Sequence, residues 1–142
     1  VLKPVAFWDA SVLVPLCVDQ VPTPLALQFN SMYQIAVWWA THVEMVSALT
    51  RLLRRQEITP LVYAQAKLQA KGLANLWNVI VPSDRIALEA RNLLERHPLR
   101  AADALQLAAA LEWCEGEAKG KVFLTFDQRL RDAATLAGFT VE

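Results

Sequence analysis

"PVAFWDASVLVPL", residues 4–16, carries the decision about the fold. Its first part, "PVAFW" (4–8), is apolar without alternation, the pattern of a strand buried on both faces. One carboxylate, Asp9, follows at once, and Ser11 to Val18 reads as a helix. The same unit returns near the end of the chain. "KVFLTF" (121–126) is a second such strand, Asp127 follows it, and "DQRLRDAATLAG" (127–138) reads as a helix stopped by Gly138.

Between these units the alternation of strand and helix continues. "DQVPTP" (19–24) breaks the first helix, and Leu25 to Tyr33 has weak helical character. "QIAVWW" (34–39) is β-branched and aromatic, hence a strand, with Trp38 and Trp39 pointing to opposite faces. "THVEMVSALTRLLRR" (41–55) places Val43, Val46, Leu49 and Leu53 on one helical face. "TPLVYAQAKLQAKG" (59–72) has Thr59 as cap, Pro60 in the first turn and Gly72 as stop, so the two helices form a hairpin. "NVIVP" (78–82) is a strand, and Ser83 caps a helix that His97-Pro98 ends. "RAADALQLAAALEWC" (100–114) is a helix rich in Ala and Leu and buried on more than one face, and "FTVE" is a short last strand. Apolar strands alternating with helices describe an α/β protein, a parallel sheet of about five strands with helices on both faces. Residues 1–142 read as one domain, without repeat or linker.

Composition excludes several classes. Hydrophobic residues make up 55% of the chain, which argues against disorder and for a partner or second copy covering some apolar surface. No apolar run reaches the roughly 18 residues of a membrane span, and Lys3, Pro4, Asp9 and Pro15 spoil a signal peptide, so a cytoplasmic protein is expected. The absence of Met at Val1 reads as a processed or trimmed start. Cys17 and Cys114 sit in apolar stretches and read as buried thiols rather than a disulfide. The net charge is zero, so no global basic field attracts nucleic acid.

Four acids stand at matching places. Asp9 and Asp127 directly follow strands, Glu44 lies in the first turn after the second strand, and Asp103 lies near the start of the Ala-rich helix. Each has a local explanation. Asp9 and Asp127 suit helix N-caps, "THVE" (41–44) is a formal capping box, and Asp103 suits a first turn or a pair with Arg100. Together they read differently, because a parallel sheet aims the ends of its strands at one edge. At about 6 Å and an effective dielectric near 20, each carboxylate pair repels by roughly 3 kcal/mol. Protonation or a divalent cation must relieve this, and oxygen ligands without His or Cys select Mg²⁺ or Mn²⁺. Such ions commonly serve phosphate hydrolysis.

"FWDASVLVPL" (7–16), "THVEMVSALTR" (41–51), "LRAADALQLAAAL" (99–111) and "FLTFDQRLRDAATLAGFTV" (123–141) together resemble PIN-domain proteins, most closely the VapC-type toxins of toxin–antitoxin pairs. The resemblance implies a three-layer α/β/α fold with strand order 3-2-1-4-5 and a metal-dependent endoribonuclease. Asp9, Glu44, Asp103 and Asp127 would be the catalytic and metal-binding quartet, with Ser11, Arg100 and Thr125 as candidate substrate contacts. It further implies an RNA substrate, a homodimer and a small antitoxin. Trp8 is bulkier than usual before the first acid, and Ala102 replaces a frequent aromatic or polar residue. A non-catalytic PIN-like binding module is the alternative. A phosphoacceptor receiver fits poorly, since "WDAS" offers one Asp and "TFD" no Lys.

Overall fold

A computed structural model describes residues 2–142. Five strands form one parallel sheet: β1 (Val5–Trp8), β2 (Gln34–Trp38), β3 (Asn78–Ile80), β4 (Val122–Leu124) and β5 (Thr140–Val141). Their order is β3-β2-β1-β4-β5, as the family resemblance implied. The register pairs Phe7 with Ala36 on one side and with Phe123 on the other. The helices are α1 (Ala10–Cys17), α2 (Thr23–Met32), α3 (Thr41–Arg54), α4 (Pro60–Ala74), α5 (Asp84–Arg96), α6 (Ala101–Trp113) and α7 (Gln128–Leu136).

The unbroken apolar strands follow from two separate cores. Ala6, Trp8, Ile35, Val37 and Leu124 point to one face and pack with buried residues of α1 to α4. Phe7, Ala36, Trp38 and Phe123 point to the other, against α5, α6 and α7. Period-2 alternation thus sends side chains to opposite cores rather than to core and solvent. Phe123 stacks on Phe7 with ring centroids 5.8 Å apart and meets Phe139 at 5.6 Å. Trp8 is fully buried, and its Nε1 donates to the Gln34 carbonyl at 3.2 Å. The bulky residue before Asp9 therefore fills the first core and ties the end of β1 to the start of β2.

Several local expectations hold and others need correction. Thr59 and Ser83 cap α4 and α5, accepting from Val62 N and Ile86 N. Gly138, at φ 107°, ends α7 in a conformation that disfavours other residues. Gly72 does not stop α4, which continues to Ala74; one glycine costs a helix about 1 kcal/mol, which packing of Ala66 and Ala70 outweighs. The inward face of α3 is also rotated from the expected stripe. Thr41, Met45 and Leu49 are buried, whereas Val43 is 69% exposed. The helix turns toward the sheet the side that carries its longest apolar chain, Met45, and leaves the shorter Val43 outside. Trp39 lies beyond β2 and is 58% exposed, in contrast to the buried Trp38. Among the described residues, no helix is long and apolar enough to cross a membrane. Both cysteines are free.

Candidate metal centre

Asp9 sits where β1 gives way to α1. Its backbone N–H donates to the Leu124 carbonyl at 2.9 Å, fixing it beside β4. It occupies the N-cap position of α1, yet its side chain makes no capping hydrogen bond. Instead Oδ2 accepts from Ser11 Oγ at 2.6 Å and from Thr125 Oγ1 at 2.9 Å. Those hydroxyls are themselves held, since Ser11 Oγ accepts from Phe126 N at 2.9 Å and Thr125 Oγ1 from Asp127 N at 3.0 Å. Only 8% of Asp9 is exposed. Burial raises its pKa, and the Ser11 and Thr125 hydroxyls and the amides at the start of α1 offset this only in part.

Thr125 is fully buried, so its hydroxyl orients Asp9 and the Asp127 amide and has no exposed surface for substrate. Ser11 is half-buried and directed at the same carboxylate.

Glu44 enters from the first turn of α3. The capping box read from "THVE" does not form. Ala40 is the N-cap, Thr41 is already helical, and no side chain caps the helix. The chain turns into α3 so tightly after β2 that Thr41 is drawn fully into the interior, where its hydroxyl has no partner. Glu44 is thereby left available to the sheet edge. Its Oε1 is buried without a hydrogen-bond partner, and its carboxyl is pushed up to about 7 by burial and then by the charges of Asp9 and Asp103.

Asp103 lies in the first turn of α6. Its pKa is raised by burial and by Asp127 and Asp9, against an opposing pull from Arg100 and its backbone amide. Asp127 is an actual N-cap, with Oδ1 accepting from Leu130 N at 3.0 Å, and it is exposed. At the carboxyl ends of the strands Glu44 is repelled by Asp9 and Asp103, and Asp103 by Asp127 and Asp9. A cleft of about 490 Å³ opens beside them, lined by Arg100, Ala102, Asp103, Asp127, Gln128 and Arg129. Arg100 is exposed at the N-cap of α6.

A hard divalent cation fits this donor set on two grounds. The donors are all carboxylate oxygens, and Glu44 Oε1 is a buried acceptor with nothing to bond. The side chains are not yet gathered around a point: among the described residues no three His, Cys, Asp or Glu groups form a ready coordination cluster. The His42 ring meets that of Trp77 edge-on, with centroids 6.0 Å apart.

Sequence reasoning passed over Gln106. It is one turn beyond Asp103 on α6 and only 1% exposed, and its Nε2 donates to the Trp8 carbonyl at 3.2 Å. It therefore grips the residue that immediately precedes Asp9, while its Oε1 is left unpartnered. The available signal was a lone amide inside an otherwise Ala/Leu run.

The PIN domain family model matches residues 6–136. None of the curated proteins matches the chain. Among solved structures, a toxin–antitoxin complex from Klebsiella pneumoniae is similar, with TM-score 0.63, 20% identity and coverage of 87% of this chain and 88% of that one. VapBC-1 from nontypeable Haemophilus influenzae gives TM-score 0.62 at 16% identity, covering 96% and 97% of the two chains. FitAcB from Neisseria gonorrhoeae gives 0.66 at 15% identity, covering 96% and 97%. At such identities these likenesses establish a shared fold.

Proposed function

This chain belongs to the PIN-domain family, and on that premise we propose that it is a metal-dependent endoribonuclease, the toxin of a toxin–antitoxin pair. The observation that carries the proposal is geometric: Asp9, Glu44 and Asp127 stand just past the ends of β1, β2 and β4, and Asp103 lines one cleft with Asp127. PIN-domain proteins are generally nucleases, and that edge is where parallel sheets bind their ligands.

In this reading Asp9, Glu44, Asp103 and Asp127 hold Mg²⁺ or Mn²⁺. A bound cation supplies Lewis acidity, neutralising charge on the phosphodiester and making water a better nucleophile. The chain's own contribution is to place the ligands. Ser11 and Thr125 fix Asp9 through two hydroxyl donors, and Asp127 is fixed by its bond to the α7 amide. Gln106 steadies the peptide that leads into Asp9. Burial around Asp9 and Glu44 limits their hydration, which strengthens their attraction to a cation.

On this reading the partners are an RNA substrate, a small antitoxin and a second copy of this chain, in the cytoplasm and away from membranes. Support for protein partners comes from exposed apolar groups such as Trp39, Val43, Leu61 and Leu68. The Klebsiella relative is itself a toxin–antitoxin complex. Support for the alternative, a non-catalytic binding module, is the absence of a ready ligand cluster among the described residues.

One experiment separates them. Asp9→Asn and Asp103→Asn are expected to abolish Mg²⁺- or Mn²⁺-dependent RNA cleavage while circular dichroism stays unchanged. Folded variants that cut RNA as fast as wild type refute the metal-site reading. A wild-type protein without cation affinity by calorimetry favours the binding module.

A further inference from the structure

The turn between β4 and α7 supplies more to the acid site than one carboxylate. Thr125 Oγ1 donates to Asp9 Oδ2 at 2.9 Å, Phe126 N donates to Ser11 Oγ at 2.9 Å, and Asp127 is itself one of the four acids. From α7 the Arg131 side chain reaches back onto this turn. Its Nη1 donates to the Thr125 carbonyl at 3.3 Å and to the Glu142 carbonyl at 2.9 Å, while the Arg131 backbone N–H donates to the Asp127 carbonyl at 2.9 Å. Glu142 follows β5, the parallel neighbour of β4, so the guanidinium spans the ends of two adjacent strands. Its anchor on that side is held in turn, since Tyr33 Oη donates to Glu142 Oε2 at 2.9 Å. Arg131 also stands apart from the other arginines: it is half-buried, and all the rest are exposed. Among the described residues no carboxylate pairs with it, and what it bonds are backbone carbonyls.

We propose that Arg131 is a positioning residue of the acid site: its grip on the Thr125 carbonyl sets the turn so that the Thr125 hydroxyl meets Asp9. It touches neither substrate nor cation and acts through Thr125. The tolerance is small. A displacement of the turn by roughly 0.7 Å would carry the Thr125–Asp9 bond out of hydrogen-bonding range. The planar guanidinium suits the task, because its donors are fixed in a fork and little freedom is lost per bond formed. Asp127 shares the same anchor, one helical turn before Arg131, so a shift at Thr125 reaches two of the four acids. The consequence for cation binding rests on the metal-centre reading, whereas the hold on the turn does not.

Mn²⁺ affinity by calorimetry gives a test whose sign is diagnostic. Arg131→Met removes a positive charge one helical turn from Asp127, and by Coulomb's law alone that would tighten cation binding. Lost positioning does the opposite: affinity is expected to fall about tenfold, the low end for partners that orient metal ligands. Arg131→Lys, which keeps a donor and the charge, is expected to recover part of the loss. In a Thr125→Val background Arg131→Met should cost nothing further, because the residue it acts through is gone. Unchanged or tighter binding in Arg131→Met, or an equal fall in the Thr125→Val background, overturns the proposal. A second readout needs no cation. In EDTA, hydrogen exchange at the Phe126 and Asp127 amides, which bond Ser11 and Thr125, is expected to speed up in Arg131→Met and to slow again in Arg131→Lys. Unchanged exchange overturns the positioning role. A wild-type protein that takes up no Mn²⁺ refutes the metal-centre reading, and the exchange rates then decide the hold on the turn by themselves.

Discussion

Replacing Glu44 by Gln should make the cation-free protein more stable in alkaline solution and leave it unchanged in acid. Burial, together with Asp9 and Asp103, lifts the Glu44 carboxyl from 4.5 to about 7. Below the unfolded pKa the group is protonated in both states and costs nothing. Between 4.5 and about 7 the unfolded chain releases its proton while the folded chain keeps it, so stability falls as pH rises. Above that window the folded state carries the whole penalty. A shift of this size corresponds to about 3 kcal/mol before screening. Glu44 is only half-buried, and solvent screening reduces this to about 1–2 kcal/mol. Gln mimics the protonated form and escapes the penalty. For a chain of this size the gain is about 3–6 °C in Tm. Thermal unfolding of both proteins in EDTA at about pH 8 and about pH 4 reads it directly. Adding Mn²⁺ should reverse the ranking at the higher pH, because a cation bound only to the folded state stabilises it. A variant less stable than wild type at about pH 8 without cation, or a difference independent of pH, refutes the account of Glu44 as a buried, unpartnered acid.

Thr125→Val keeps the side-chain volume but removes the donor to Asp9 and the acceptor for the Asp127 amide. Urea unfolding should show a loss of about 1–3 kcal/mol, and cation affinity by calorimetry should fall. Trp8→Phe removes the bond to the Gln34 carbonyl and leaves a void in the first core, lowering stability by about 2–3 kcal/mol in the same assay. Burial pushes the Cys17 thiol up to about 11 and raises Cys114 as well. Neither should be alkylated by iodoacetamide at about pH 8 until denaturant is added, as mass spectrometry would show.

The sheet was legible in the sequence because its strands are continuous apolar runs, and no other common arrangement hides both faces of "VAFW". Strand order was another matter. Pairing partners of parallel strands are not written in local pattern, and the order came from the family resemblance. Capping was readable where the cap is exposed and local, at Thr59 and Ser83, and misleading at Thr41, where tertiary packing drew the hydroxyl inward. The same packing turned Val43 outward, since the face of a helix is chosen by what it meets. The positions of the four acids at strand ends and helix starts could be seen in advance. The Ser11 bond to Asp9 is local, but the Thr125 bond could not be derived, because it joins residues more than a hundred positions apart, and neither could the hold of Gln106 on Trp8.

The position of β4 in the sheet also bears on the order of events during synthesis. β4 lies between β1 and β5, and it carries Thr125 to Asp9. A ribosome that has released everything up to the end of α6 has produced three of the four acids. It has also produced a β1 with one open edge and an Asp9 without its Thr125 donor. Completing the sheet and completing the acid cluster are one event, which awaits the segment that follows α6. Fragments ending before β4 would therefore lack Asp127 and leave Asp9 without its Thr125 donor.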